Sequence, residues 1–299
     1  MEVTWVVWPF SQVIQNALII QALGLRSFIA NQDEESFVVE KEDSCIIRLF
    51  SSYCALSEED RRLLHRLEES PIETRAGQVL WKECDKASEF CTISKGWAYS
   101  FRNMDDGSRQ ILELFLPGDI IGMREFAFSQ RLTGLAMIDD GMVCHFPHRH
   151  LVDLFSTSTT LTAVLFAIVS RHQALLTERL VNLARRSAQQ RLAHFIYEIY
   201  ERLNQTGSFN GGHFRLPLSQ EQIGDALGLS SVHVSRTFTS FRKQQLVLRE
   251  RHRVYLPNPQ ALAEVADFDN RYLNDSLKAI LGENGKLERQ SESSNAATK

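Results

Sequence analysis

The segment LPLSQEQIGDALGLSSVHVSRTF at 216–238 leaves this chain little freedom in its local fold. Ser219 with Gln222 three positions on makes a capping-box start, and Ile223, Ala226 and Leu227 give a short helix one apolar face. Gly228 then stops it. Leu229 is apolar after the turn, Ser230 or Ser231 can cap a second helix, and Val234, Phe238 and Phe241 set its core face at i, i+4 and i+7. The pattern predicts a helix-turn-helix. Its second helix directs Ser231, Val232, Ser235 and Arg236 outward, with Ser230 and His233 beside them, at the N-terminal end where a recognition helix meets base edges. Beyond it lie Arg242, Lys243, Arg249, Arg251 and Arg253, opposed nearby by Glu250 alone, with a hairpin expected over 247–256. Ser219, Gln220, Arg242, Lys243, Arg251 and Arg253 are the candidates for the DNA backbone. Helix-glycine-helix pairs also occur in plain helical cores. The two caps, the glycine, the outward Ser-Arg pair and the basic hairpin together favour duplex DNA.

Composition limits the rest. The 299 residues carry a net charge of -4, which argues against a protein that coats nucleic acid and makes the local basic cluster the relevant feature. This length can bury two cores. The 5 cysteines, at 45, 54, 84, 91 and 144, form no CxxC pair and suit neither a disulfide framework nor a zinc site, so no metal is expected and a reducing cytoplasm fits. No HExxH, GxSxG or GxxxxGK[ST] is present, and His145, His148 and His150 lie around a strand end, which speaks against an enzyme. A ligand-binding or scaffold protein that uses the helix pair only for packing is the rival reading. Residues 3–25 contain no charge, but Pro9 and several polar residues interrupt them and no Lys or Arg precedes them. Three readings stay open for residues 1–44: an atypical extension or mis-assigned start, an amphipathic partner-binding helix, or a membrane anchor. The first is favoured, and no membrane partner is expected.

Between these ends the periodicity changes once. Ser57 caps a short helix faced by Leu63, Leu64 and Leu67, and from 77 to 146 brief alternating runs are punctuated by Gly96, Asp106-Gly107, the Pro-Gly-Asp at 117–119 and Asp140-Gly141. Such spacing predicts an antiparallel sandwich or roll, with Asp106-Gly107 its clearest hairpin. After Pro147 the period is helical. Leu161, Leu165, Ile168, His172, Leu175 and Arg179 form one stripe, and Val169, Leu176, Leu180 and Leu183 an adjacent one. Two stripes allow a helix to meet its own domain and a partner helix, and the dimer seam is drawn on Leu161, Leu165, Ile168, His172, Leu175, Leu176 and Arg179. A helix buried in one monomer is the alternative. Arg185 and Arg186 end it, and a further helix over 189–203 opens the C-terminal domain.

The helix-turn-helix segment, LPGDIIG at 116–122 and MVCHFP at 142–147 make the chain resemble the Crp/Fnr transcription regulators from about 45 to about 262. The resemblance implies an α+β architecture: a sensory β-roll like a cyclic-nucleotide-binding domain over 45–155, a dimerisation helix over 156–188 and a winged helix-turn-helix over 189–262. A C-terminal helix and disordered tail would follow over 263–299. It also implies a homodimer on near-palindromic operators and control of transcription through RNA polymerase. The effector pocket would comprise Gly122, Met123, Arg124, Glu125, Arg131 and Thr133, yet it is degenerate. Met123 follows Gly122 where the nucleotide-binding members have glutamate, and Arg131-Leu132-Thr133 replaces their Arg-Ser/Thr pair. Cyclic AMP is therefore not expected, and an unknown small molecule is the candidate effector. Cys45 and Cys144 are similar to two cluster-binding positions of the oxygen-sensing branch, with Cys54 near a third, but the spacing does not fit an iron-sulfur cluster. On the recognition helix, Arg236 matches the family's arginine, while Val232 stands at its glutamate. The half-site should differ accordingly.

Overall fold

The computed structural model describes residues 44–206, 213–273 and 277. The expected readings of residues 1–43 and of the tail past 277 therefore lie outside the described residues. Helix α1 (Cys45–Tyr53) has no signal in the sequence, since Ser44 makes no side-chain cap and its first turn holds no acid. Its Ile46, Ile47 and Phe50 are buried all the same. Helix α2 (Glu58–His65) has the expected Ser57 cap, strengthened into a reciprocal box by Asp60. The same Asp60 accepts from the Ser158 hydroxyl at 2.5 Å, which ties the start of the domain to its end.

Two four-stranded sheets follow. One has the order β1 (Pro71–Thr74), β8 (Gly141–Pro147), β3 (Glu89–Lys95), β6 (Ile120–Ile121); the other has β2 (Val79–Trp81), β7 (Gly134–Met137), β4 (Ala98–Asn103), β5 (Arg109–Phe115). All their pairings are antiparallel, as the turn spacing predicts. Trp81, Cys91, Ile93, Ala98, Phe115, Leu135, Met137 and Val143 fill the space between the sheets. Gly107 supplies the positive φ of 82° at the β4–β5 turn. The pleat gives these two strands distinct faces, and a bulge, at which the register passes from Ser100–Glu113 to Phe101–Ile111, carries Ile111 onto the face of Leu114. Ala98 and Phe115 point into the roll, whereas Tyr99, Ile111 and Leu114 belong to the core of the C-terminal part.

Helices α3 (His148–Thr157) and α4 (Thr159–Arg185) are separated at Ser158, whose hydroxyl caps α4. Leu161, Leu165, Ile168 and Leu175 are buried within their own chain, the first three against α1 and α3. Arg179 donates to the Leu112 carbonyl and pairs with Glu198 at 3.6 Å. The stripe assigned to a partner is thus largely covered by its own domain, which corrects that assignment for these five residues. The neighbouring stripe is covered only in part: Leu176 and Leu183 are half-buried, while Val169 and Leu180 are exposed. Phe166 and Val181, which the sequence reading does not include, join them on the exposed face, with Phe166 75% exposed and Leu180 68%. By length and composition α4 passes for a membrane span, but its buried face packs in a protein core.

Helix α5 (Ala188–Gln205) opens with a Ser187–Gln190 capping box and leads to β9 (His213–Arg215), α6 (Gln220–Leu227), α7 (Ser231–Lys243), β10 (Leu248–Glu250), β11 (Arg253–Tyr255) and α8 (Pro259–Ala266). The expected hairpin is β10–β11, and β9 adds an unforeseen third strand beside β11. Helix α8 lies against α5, with Leu262 and Ala266 in the shared core. From Asp43 onward the elements form one contact unit. Its roll and C-terminal part share that core through Trp97, Tyr99, Ile111 and Leu114.

Candidate nucleic-acid interface

Each local signal in 216–238 has a structural counterpart. The Ser219 hydroxyl accepts from Gln222 N at 3.0 Å, and the Gln222 amide oxygen accepts from Ser219 N at 2.8 Å. Gly228 ends α6 with a φ of 61°, in the left-handed region that favours glycine. Ser230, not Ser231, caps α7: its hydroxyl accepts from His233 N at 3.3 Å and lies 3.0 Å from His233 Nδ1. Val234, Phe238 and Phe241 are buried, which turns the opposite face to solvent. Ser230, Ser231, Val232, His233 and Arg236 are exposed there, and Ser235 is half-buried. Val232, 56% exposed, is an apolar side chain with no core to fill.

Around this helix the basic residues separate into two groups. Arg242, Lys243, Arg251 and Arg253 are exposed, as are Ser219 and Gln220 at the start of α6. Arg251 lies at the β10–β11 turn with a φ of 54°, so the wing tip carries two arginines and His252. Arg249 does not share that surface. Its guanidinium sits 4.9 Å from the Phe238 ring centroid and donates to the Leu218 carbonyl, and burial holds it below the usual arginine range. It braces the wing against α7.

The roll contains a cavity of about 170 Å³. Gly122, Met123, Arg124, Glu125 and Thr133 line it as the sequence suggests, joined by Trp81, Ser100, Glu113 and Phe115. Val169, His172, Gln173 and Leu176 of α4 close its other side, so the helix takes part in the pocket, which the sequence does not reveal. Arg131 is displaced from this group. It is 3% exposed behind the wall, stacked 3.8 Å from the Trp81 ring centroid, donating to the Glu89 carbonyl and 4.0 Å from Glu125. Burial pushes the Glu125 carboxyl up and the Arg131 guanidinium down. Arg124 is likewise engaged, by Glu113. With Arg124 so paired, and Arg131 behind the wall on Trp81 with its Nε and Nη1 buried and without hydrogen-bond partners among the described residues, neither arginine is presented to the cavity as a phosphate clamp. These residues, as placed, do not fit a cyclic nucleotide.

The cysteines do not fit a cluster either. Cys45 Sγ donates to the Ser94 carbonyl at 3.3 Å, and Cys144 Sγ lies 3.4 Å from the Ser94 hydroxyl. Cys54 and Cys91 are buried, Cys84 is exposed, and burial raises the Cys54, Cys91 and Cys144 thiols above their usual range. Among the described residues no group of three His, Cys, Asp or Glu side chains is placed to hold a metal ion.

Comparison with known proteins matches residues 190–265 to a Crp-like helix-turn-helix domain and residues 71–158 to a cyclic nucleotide-binding domain. The fumarate and nitrate reduction regulatory protein of Yersinia pestis is 26% identical over 77% of this chain and 91% of its own length. The transcriptional activator protein Anr of Pseudomonas protegens is 26% identical over 71% and 86%. Among solved structures, FixK2 from Bradyrhizobium japonicum superposes with a TM-score of 0.60, at 24% identity over 66% of this chain and 96% of that one. A CRP-family regulator from Thermus thermophilus gives 0.53 at 17% identity, over 66% and 97%.

Proposed function

The chain belongs to the Crp/Fnr family of DNA-binding transcription regulators, and from that premise we propose that it binds near-palindromic operators as a homodimer, with affinity set through the roll by a small molecule in the 170 Å³ cavity. One observation carries the reading: α7 exposes Ser231, Val232 and Arg236 at its N-terminal end while the wing arginines Arg251 and Arg253 are exposed in the same part of the chain. In this reading Arg236 donates two hydrogen bonds to guanine O6 and N7, and Val232 contacts a thymine methyl. Arg251, Arg253, Arg242 and Lys243 meet phosphates and make the affinity salt-dependent.

The exposed stripe of α4 supports the dimer. Phe166, Val169, Leu180 and Val181 form an apolar surface, and Val169 also lines the cavity. A partner helix on that stripe would feel what occupies the pocket. Control of transcription would proceed by recruiting or obstructing RNA polymerase, in the cytoplasm and without catalysis by this chain. In vitro selection of duplexes by the full-length protein tests the reading. Enrichment of an inverted repeat, with affinity falling steeply as salt rises, supports it; no sequence enrichment overturns it and leaves the scaffold alternative.

A further inference from the structure

Among the described residues, three ion pairs join the roll to the C-terminal part. Arg202 of α5 reaches Asp119 at 3.0 Å, Arg215 of β9 reaches Asp139, and Arg109 of β5 reaches Asp225 of α6. Of these, the last lands on the helix-turn-helix itself. Arg109 Nε and Nη2 both donate to Asp225 Oδ2, at 2.9 and 2.7 Å, while Nη1 donates to the Tyr99 hydroxyl at 3.0 Å. The guanidinium also lies 5.3 Å from the Tyr99 ring centroid. Arg109 is therefore held by its own sheet before it reaches across, so little side-chain freedom remains to be lost in the contact.

Asp225 is well placed to pass on that restraint. It follows Gly224, whose carbonyl accepts from Leu229 N at 3.1 Å in the turn between α6 and α7. A fixed α6 thus fixes α7. The recognition residues stay exposed while the clamp is closed, so the docked roll leaves the DNA face open. We infer that Arg109 is a positioning residue for DNA reading: through Asp225 it holds α6, and with it α7, at the angle an operator requires.

The two faces of β4 and β5 extend the consequence. Ser100, Glu113 and Phe115 line the cavity, while Tyr99 and Leu114, alternating with them, and Ile111, brought over by the bulge, pack under the C-terminal part. Whatever shifts these strands from the cavity side also shifts the base of the clamp.

The test compares affinity for a duplex selected by the wild-type protein with affinity for a scrambled duplex of the same composition. The ratio is the readout, because removing Asp225 also removes a negative charge that repels any DNA. Arg109→Ala and Asp225→Ala should each lower the ratio about tenfold, the effect of cutting the competent orientation to about one tenth of the population. The thermal midpoint should stay close to that of wild type. Arg109→Lys, which keeps a single contact and guards against a folding defect, should fall between. The exchanged pair Arg109→Asp with Asp225→Arg should restore most of the ratio. An unchanged or increased ratio in the two alanine variants, or no recovery in a folded exchanged pair, would overturn the assignment.

Discussion

Gly224 of α6 and Leu229 at the end of the turn press backbone against backbone: a Cβ at 224 would lie 2.3 Å from the Leu229 carbonyl oxygen. Neither backbone can retreat without opening the helix-turn-helix. Gly224→Ala should cost about 1 to 3 kcal/mol of stability, as overpacking does elsewhere, and should impair DNA binding with it. Chemical denaturation of the two proteins measures the first and gel shift the second. Equal midpoints would show that the turn has more play than this contact implies.

The two stripes of α4 make opposite predictions. Phe166→Asp with Leu180→Asp places charges on an exposed apolar surface, so the protein should remain folded and sediment as a monomer. Leu161→Asp places one in a fully buried position and should unfold the roll. A folded, fully dimeric Phe166/Leu180 variant would move the dimer seam elsewhere.

Cyclic AMP should show no saturable binding at micromolar concentration in calorimetry, and operator affinity should not depend on it. The cause is the placement of Arg131 behind the wall, stacked on Trp81 and donating to the Glu89 carbonyl, and the pairing of Arg124 with Glu113. Micromolar binding that raised operator affinity in parallel would mean that Arg131 leaves this site to take the phosphate.

His194 is 1% exposed beside Tyr272 and Phe268, and burial, aided by Arg186 and Arg179, pushes its pKa down to about 3. The unfolded chain takes up this proton near pH 6.5 and the folded protein only near 3. The unfolded state therefore binds more protons between those values, and stability should fall on acidification through that window. The slope approaches about 1.4 kcal/mol per pH unit from this group. His194→Gln keeps a polar group near Tyr272 and should flatten the dependence of the denaturation midpoint on pH between about 4 and 6. An unaltered slope would assign it to other groups.

Legibility in the sequence follows the range of the interactions concerned. Caps, the Gly228 stop and the Val234–Phe238–Phe241 face are local, and each stands where its residues indicate. The phase of α4 is not local: two adjacent stripes are visible, but which one its own domain covers depends on α1, and α1 carries no cap signal. A loop arginine is ordinarily free to face a pocket, whereas Trp81, far away in sequence, takes Arg131 behind the wall. Arg249 departs from the wing's surface for the same reason, because Phe238 and Leu218 hold it inside. The Arg109–Asp225 pair spans 116 residues and has no sequence signature.

Arg236 carries the central claim, because it is exposed near the start of α7, opposite Val234, Phe238 and Phe241. The decisive measurement is affinity across a set of duplexes that vary one base pair at a time, for wild type, Arg236→Ala and Arg251→Ala, at several salt concentrations. Arg236→Ala should remain folded, lose roughly 1 to 3 kcal/mol per half-site and relax the preference at one base-pair position in each half. Arg251→Ala should weaken all duplexes about equally and lower the salt slope by about one. Equal losses on selected and random DNA for Arg236→Ala, with no position relaxed, would make it a backbone contact and contradict the recognition face described for α7.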